Sequence, residues 1–254
     1  MVDAKSWSVN LEHGERWWYA HVVELPGCFT RGEIREEVLN ALPDAVAGHI
    51  AFLEARGHPV DATTLDFSVV EEILGIPELG EAGGAVALFT SDEEPVGKGE
   101  FSRFHDLMRW NREELLGIVK PLSENERNAR PLPDKWTIEE TLRHVANAEE
   151  WYVSRLGAGI QEECEGFVMR INPEESWGSI LERLEATRRG GVHALEYAFG
   201  RGIEGVFTRA AYTQHPEERW TFRKVLRRFV EHEREHIGTI KRVVDVLARE
   251  GRNR

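Results

Sequence analysis

The sequence has little cysteine and no long apolar run. Its 254 residues include two cysteines, Cys28 and Cys164, which are too few for a disulfide framework and favour reduced thiols. No stretch of about 18 uncharged apolar residues is present, so a membrane-spanning helix is not expected. The first residues also lack the apolar segment of a secretory signal. These absences predict a cytoplasmic protein with no membrane partner.

Positive charge is scarce in the first hundred residues. Residues 1–100 carry 6 Lys and Arg against 19 Asp and Glu, whereas residues 101–254 carry 26 of each kind. The whole net charge of −13 therefore belongs to the first hundred residues. Because a phosphate backbone is bound by basic surfaces, we expect no nucleic-acid partner. The distribution is typical of a solvated acidic surface, and a basic protein partner is the alternative.

The chain is predicted to begin with an α+β domain at 1–90. Alternating apolar residues predict strands at 7–11, 17–23, 28–30, 65–70 and 85–89. A repeat of three to four residues at 34–56 predicts a helix, which Pro43 starts or kinks. The order is β-β-β-α-β-like, with one helix packed on a sheet. The polar segment 91–100 contains a proline and two glycines and is interpreted as a linker.

An all-α four-helix bundle is predicted at 101–254. Helical periodicity recurs in four segments, at 101–119, 137–156, 172–199 and 221–249. The second begins with the capping box Thr137-x-x-Glu140, and the third begins at Asn172-Pro173, an N-cap followed by a helix-starting proline. Gly190-Gly191 is expected to weaken the third helix. The long connection at 200–220 is typical of loops with a function.

The fourth helix contains a candidate metal site. Residues 232–236 read HEREH and match H-E-x-x-H, the signature of zinc metalloproteases. Both histidines fall on the apolar stripe of the helix, one turn apart, which lets two imidazoles bind one ion. A metzincin protease needs a glycine and a third histidine downstream, but Thr239 and Arg242 occupy those positions. We therefore predict a metal site that does not belong to a protease.

A third ligand is available upstream, where His144 lies on the second helix. With His232 and His236 it would give three nitrogens on one side of an ion and leave positions open for water or substrate. Glu149 and Glu233 are candidates for proton handling or for contacts that orient the ligands. The alternative is that the inward-facing histidines are hydrogen-bonded core residues without a metal.

Other histidines and several tryptophans are given different roles. His105 is an outside candidate near the site, and surface or loop positions are expected for His193 and His215. Four tryptophans are expected to be core residues or helix staples rather than ligand platforms: Trp136, Trp151, Trp177 and Trp220.

The candidate ligands lie in stretches that resemble a known family. The segments 136-WTIEETLRH-144, 220-WTF-222 and 231-EHEREHIG-238 resemble the DinB-like (damage-inducible) metal-binding family, over residues about 101–250. The resemblance implies a four-helix bundle, often dimeric, that binds a divalent ion such as zinc or nickel. Some members transfer low-molecular-weight thiols such as bacillithiol or mycothiol. The resemblance therefore implies a metal-dependent thiol S-transferase-like enzyme or hydrolase acting on a small molecule.

The first domain carries a resemblance of its own. The stretch 16-RWWYAHVVELPGCFTRGEIREEVLNALPDAVAGHI-50 resembles the HicB-type antitoxin fold. The resemblance implies a small α+β domain that binds a partner or shapes the site of the bundle. Three hypotheses stand: a metal-dependent enzyme, a binding protein whose acidic domain recruits a basic partner, and a structural bundle without metal.

Overall fold

The chain divides into two compact units. The computed structural model describes residues 6–60, 66–131, 135–168 and 176–252. The first unit comprises Met1–Glu94 and Thr208–Arg219, and the second comprises Pro95–Phe207 and Trp220–Arg254. Among the described residues, no helix is both long and apolar enough to cross a membrane.

A mixed sheet with helices forms the first unit. Its strands are β1 Trp7–His13, β2 Trp18–Val22, β3 Phe29–Gly32 and β4 Phe67–Leu74, in the order β3-β2-β1-β4. The first three strands are antiparallel, and β4 pairs with β1 in parallel. Two helices follow β3, and they are α1 Arg35–Asn40 and α2 Leu42–Glu54. This arrangement confirms the predicted α+β class, whereas the resemblance to the HicB-type fold stays a prediction.

The helix predicted at 34–56 is interrupted close to Pro43. Ala41 separates α1 from α2, and the proline lies in the first turn of α2. Proline is compatible with a first turn, where its missing N–H has no intrahelical partner, but not with a helix interior. The prediction that a helix starts or kinks at Pro43 is therefore confirmed.

The strand predicted at 85–89 does not form. The N–H of Ala87 donates to Glu12 Oε2 at 2.7 Å, and the N–H of Val86 donates to Glu218 Oε1 at 3.0 Å. The N–H of Ala85 donates to the carbonyl of Pro77. These donors have partners other than a neighbouring strand, so the segment forms no ladder of strand hydrogen bonds.

The second unit contains the four predicted long helices. They are α3 Lys98–Val119, α5 Ile138–Ser154, α7 Trp177–Gly200 and α8 Phe222–Arg252. The capping box predicted at Thr137 is present, because its hydroxyl accepts from the N–H of Glu140 and the Glu140 carboxylate accepts from the N–H of Thr137. The predicted start of the third helix at Asn172-Pro173 lies outside the described residues, and Ser176 caps α7. The apolar faces of the four long helices meet in one core, which includes Leu115, Leu142, Val145, Leu184, Ile237 and Ile240.

Two short helices were not predicted, α4 Glu124–Asn128 and α6 Ala158–Val168. The buried face of α6 has a four-residue spacing, formed by Ile160, Cys164 and Val168. Gly190, predicted to weaken the third helix, instead lets α6 approach α7. A Cβ atom there would lie 2.8 Å from the carbonyl oxygen of Cys164, so the glycine permits close packing while the helix continues.

Candidate metal centre

Three imidazoles face one another between α5 and α8. His144 is on α5, whereas His232 and His236 are one turn apart on α8. The Nε2 atoms of His144 and His232 are 2.9 Å apart, and those of His232 and His236 are 3.1 Å apart. One ligand atom from each of the three lies within 4.8 Å of the others. We call these three residues the histidine cluster.

The histidine cluster is buried on one side and accessible on the other. His232 is 7% exposed, whereas His144 and His236 are half-buried. Burial lowers the pKa of His232 well below its ordinary value, and the nearby imidazoles and Arg228 lower it further. Burial also lowers the pKa of His144, against an opposing effect of Glu235. Both rings are therefore neutral near pH 7, which is the state that binds a metal.

Aromatic side chains border the histidine cluster. The Tyr152 ring meets His232 edge-on, with 5.6 Å between the ring centroids. The Arg228 guanidinium donates to the Tyr152 hydroxyl at 3.3 Å. Trp136, which was expected to be a core residue or a helix staple, is 41% exposed, and its ring centroid lies 4.7 Å from that of His144. The accessible side of the cluster therefore has an exposed indole next to it.

Glu149 and Glu233 lie in a second cluster, composed of charges. Arg112 donates to Glu233 Oε1 and to Glu149 Oε1, both at 2.6 Å. Arg188 donates to Glu149 Oε1 at 2.5 Å and to Glu233 Oε2 at 2.7 Å. Each guanidinium thus binds both carboxylates. We call Arg112, Glu149, Arg188 and Glu233 the buried charge ring.

The ring defines the ionisation state of Glu233. Burial by itself raises the pKa of this carboxyl, but Arg112 and Arg188 outweigh burial and hold the pKa below its ordinary value. Both oxygens accept from arginine, so this carboxylate is not placed to act as the general base of an H-E-x-x-H protease. Glu149 is bound by the same two arginines.

The remaining histidines lie elsewhere. His105 packs on Phe101 of α3, with 4.3 Å between ring centroids. His193 is half exposed and bonded to Glu163 at 3.1 Å. His215 belongs to the first unit, where its ring is 3.2 Å from Glu78. None of the three belongs to the group of possible ligands found among the described residues.

A helical bundle that brings three histidines of two helices together defines a class of metal-binding bundle proteins. Residues 107–240, more than half of the chain, match the DinB superfamily, and the chain belongs to this superfamily.

No curated protein matches the chain in sequence. The solved structure of YfiT from Bacillus subtilis, described as a probable metal-dependent hydrolase with an unusual four-helix bundle topology, is similar with a TM-score of 0.46. Its sequence identity is 15%, and the match covers 67% of this chain and 98% of YfiT.

Proposed function

We propose that the chain is a metal-dependent enzyme whose histidine cluster holds a divalent cation and activates a water or a low-molecular-weight thiol. The facing Nε2 atoms carry this proposal. Metal–imidazole bonds are about 2.0–2.1 Å long, and nitrogens that share an ion at that distance lie about 3 Å apart. The observed separations of 2.9 and 3.1 Å fit such an arrangement.

The donor set favours particular metals. Neutral imidazole nitrogens suit zinc and nickel, whereas magnesium and calcium prefer oxygen ligands. Three protein ligands leave coordination positions for a reactant, as catalytic zinc sites require. Because two of the three imidazoles are half-buried, a small molecule has a route to the ion.

A bound divalent cation supplies a Lewis acid that lowers the pKa of water or of a thiol, so that the nucleophile forms at neutral pH. Burial favours the neutral form of the His232 and His144 imidazoles by lowering the pKa of each, and the Tyr152 ring meets His232 edge-on. Trp136 provides an exposed aromatic surface beside His144 on which the organic part of a substrate can pack.

Elemental analysis of the purified protein tests the metal site. We expect a near-stoichiometric amount of divalent metal in the wild type and the loss of most of it in His236→Ala. The matched control is His193→Ala, which removes a half-exposed histidine whose partner is Glu163. It should retain the metal. A wild type that takes up neither zinc nor nickel would leave the three histidines as hydrogen-bonded core residues.

Thiol titration of the cobalt-loaded protein separates the two nucleophiles. A thiol that binds the ion as thiolate adds a charge-transfer band in the near ultraviolet, and a variant without His236 should not show it. Absence of that band over a panel of thiols, combined with ester or amide hydrolysis that requires metal, would assign the site to water activation.

A further inference from the structure

The buried charge ring takes one residue from each long helix of the bundle. Arg112 is on α3, Glu149 on α5, Arg188 on α7 and Glu233 on α8. The four side chains are 10%, 3%, 11% and 1% exposed. Two positive and two negative charges balance within the ring. The arginines also tie to the backbone, since Arg112 donates to the carbonyl of Leu184 at 2.5 Å and Arg188 donates to that of Met108.

Burying four charged groups contributes little net stability to a helical bundle, because their desolvation offsets their mutual attraction. Removing ions from water costs several kcal/mol each, and replacing a buried ion network by apolar residues of similar volume is often neutral or stabilising. What such a network adds over apolar packing is a defined register between the helices. Carbon–carbon contacts tolerate small sliding movements, whereas charged hydrogen bonds of 2.5–2.7 Å do not.

The two glutamates of the ring are on the same two helices as the histidine cluster. Glu233 directly follows His232 on α8, and Glu149 is five residues beyond His144 on α5. Both arginines bridge these two glutamates and therefore couple α5 to α8. A metal site tolerates errors of about 0.2 Å in its bond lengths, which is much less than the rise of about 1.5 Å per helical residue.

We infer that the buried charge ring is a positioning device that fixes the register of α5 against α8, so that the histidine cluster is preset for its ion. This inference rests on the proposed metal site. Glu149 and Glu233 thus act on the ligands through helix position rather than by exchanging protons. Outer-sphere partners of metal ligands commonly change affinity by about 10- to 100-fold, which sets the scale of the expected effect.

A conservative substitution in the ring tests the inference. Arg188→Lys keeps the positive charge but replaces a planar guanidinium, whose Nη1 binds the Met108 carbonyl while its Nη2 contacts both carboxylates, by a single flexible ammonium that cannot make all of these contacts in the same geometry. The matched control is Arg127→Lys, in a pair with Glu139 of similar burial that joins α4 to α5. We expect the zinc dissociation constant, measured against a chelating dye, to rise about tenfold in Arg188→Lys and to stay unchanged in Arg127→Lys. The cobalt absorption spectrum of Arg188→Lys should also shift, which a loss of stability alone would not cause.

An apolar version of the ring separates positioning from stability. The fourfold variant Arg112→Met, Glu149→Leu, Arg188→Met and Glu233→Leu should remain folded, with weaker zinc binding and a changed cobalt spectrum. Wild-type affinity in this variant or in Arg188→Lys would overturn the inference, and so would an Arg188→Lys variant that does not fold. If only the fourfold variant fails to fold, the zinc affinities of Arg188→Lys and Arg127→Lys decide whether the inference holds. A wild type that binds neither zinc nor nickel would instead overturn the proposed function itself.

Discussion

Glu114 is a partly buried carboxylate kept ionised by two cations. It accepts from Arg234 at 2.7 Å and from Lys241 at 2.5 Å, so it links α3 to α8. Burial raises the pKa of this carboxyl, but Lys241 and Arg234 outweigh burial and leave the pKa below its ordinary value of 4.5. A carboxyl with a lowered pKa stabilises the fold above its unfolded pKa, and this stabilisation is lost as the pH falls through the folded pKa.

We expect Glu114→Gln to lower the free energy of unfolding at neutral pH by about 1 kcal/mol. The difference from wild type should shrink as the pH falls from 4.5 through the lowered pKa of folded Glu114, because the wild-type carboxyl is protonated below that pKa. Urea unfolding at neutral and acidic pH measures both values. Glu185→Gln is the control, since that side chain is 73% exposed and 3.9 Å from Arg189. A difference that does not change with pH would contradict this account.

The start of α5 depends on a reciprocal hydrogen-bond pair. The Thr137 hydroxyl accepts from the N–H of Glu140 at 3.2 Å, and the carboxylate of Glu140 accepts from the N–H of Thr137 at 2.7 Å. Arg130 binds the same carboxylate at 2.7 Å. This cap lies seven residues before His144, so the first turns of α5 lead directly to the metal site.

Removal of the cap should therefore weaken the second unit. Thr137→Ala is expected to reduce the free energy of unfolding by about 1 kcal/mol, because the N–H of Glu140 at the helix start loses the hydroxyl that accepts from it. Thr137→Ser keeps the hydroxyl and serves as the control, with an expected loss well below that of alanine. Chemical unfolding followed by circular dichroism measures the change. Equal losses in the two variants would assign the effect to the threonine methyl group.

Local patterns in the sequence were sufficient to predict the long helices. The apolar repeat, the capping box at Thr137 and the break at Pro43 are local properties, and each predicted its feature correctly. The strand at 85–89 was predicted from the same kind of local pattern, but distant carboxylates bind its N–H groups. Partners that are far apart in sequence cannot be found from a local pattern.

In the candidate site too, local patterns were predicted correctly, whereas partners that are distant in sequence were missed. The histidine positions on the stripe of α8 predicted that those two side chains lie together, and His144 joins them in the structure. The arginines of the buried charge ring were missed, although Arg112 follows Met108 by four residues and Arg188 follows Leu184 by four. A charge at such an apolar position signals a buried partner. Which charges pair depends on helix register, which the sequence does not reveal.

At the scale of the whole molecule, one loop returns to the first unit. Thr208–Arg219 interrupts the second unit and has its partners in the first. Glu218 accepts from the N–H of Val86 at 3.0 Å, and Arg219 is paired with Glu93 at 3.0 Å. The long connection at 200–220, expected to have a function, thus contributes to the fold of the acidic unit.

Glu218→Ala should destabilise the first unit and leave metal uptake unchanged. It removes the part-buried hydrogen bond from the N–H of Val86, which we expect to cost about 1 kcal/mol. Glu217→Ala changes the exposed neighbour and is the control. Urea unfolding and elemental analysis of the same samples provide the two measurements. A loss of metal in Glu218→Ala, with stability preserved, would be the opposite of the expected pattern.

Because the chain passes between its units at 94–95, 207–208 and 219–220, the two units are not separable as consecutive pieces of a gene. A recombination event at the boundary 94–95 would give a first unit that lacks twelve residues of its own fold, and a bundle that carries them without their partners. Exchange of either unit between unrelated genes would therefore require matched changes at two places. The two units are thus expected to be inherited together.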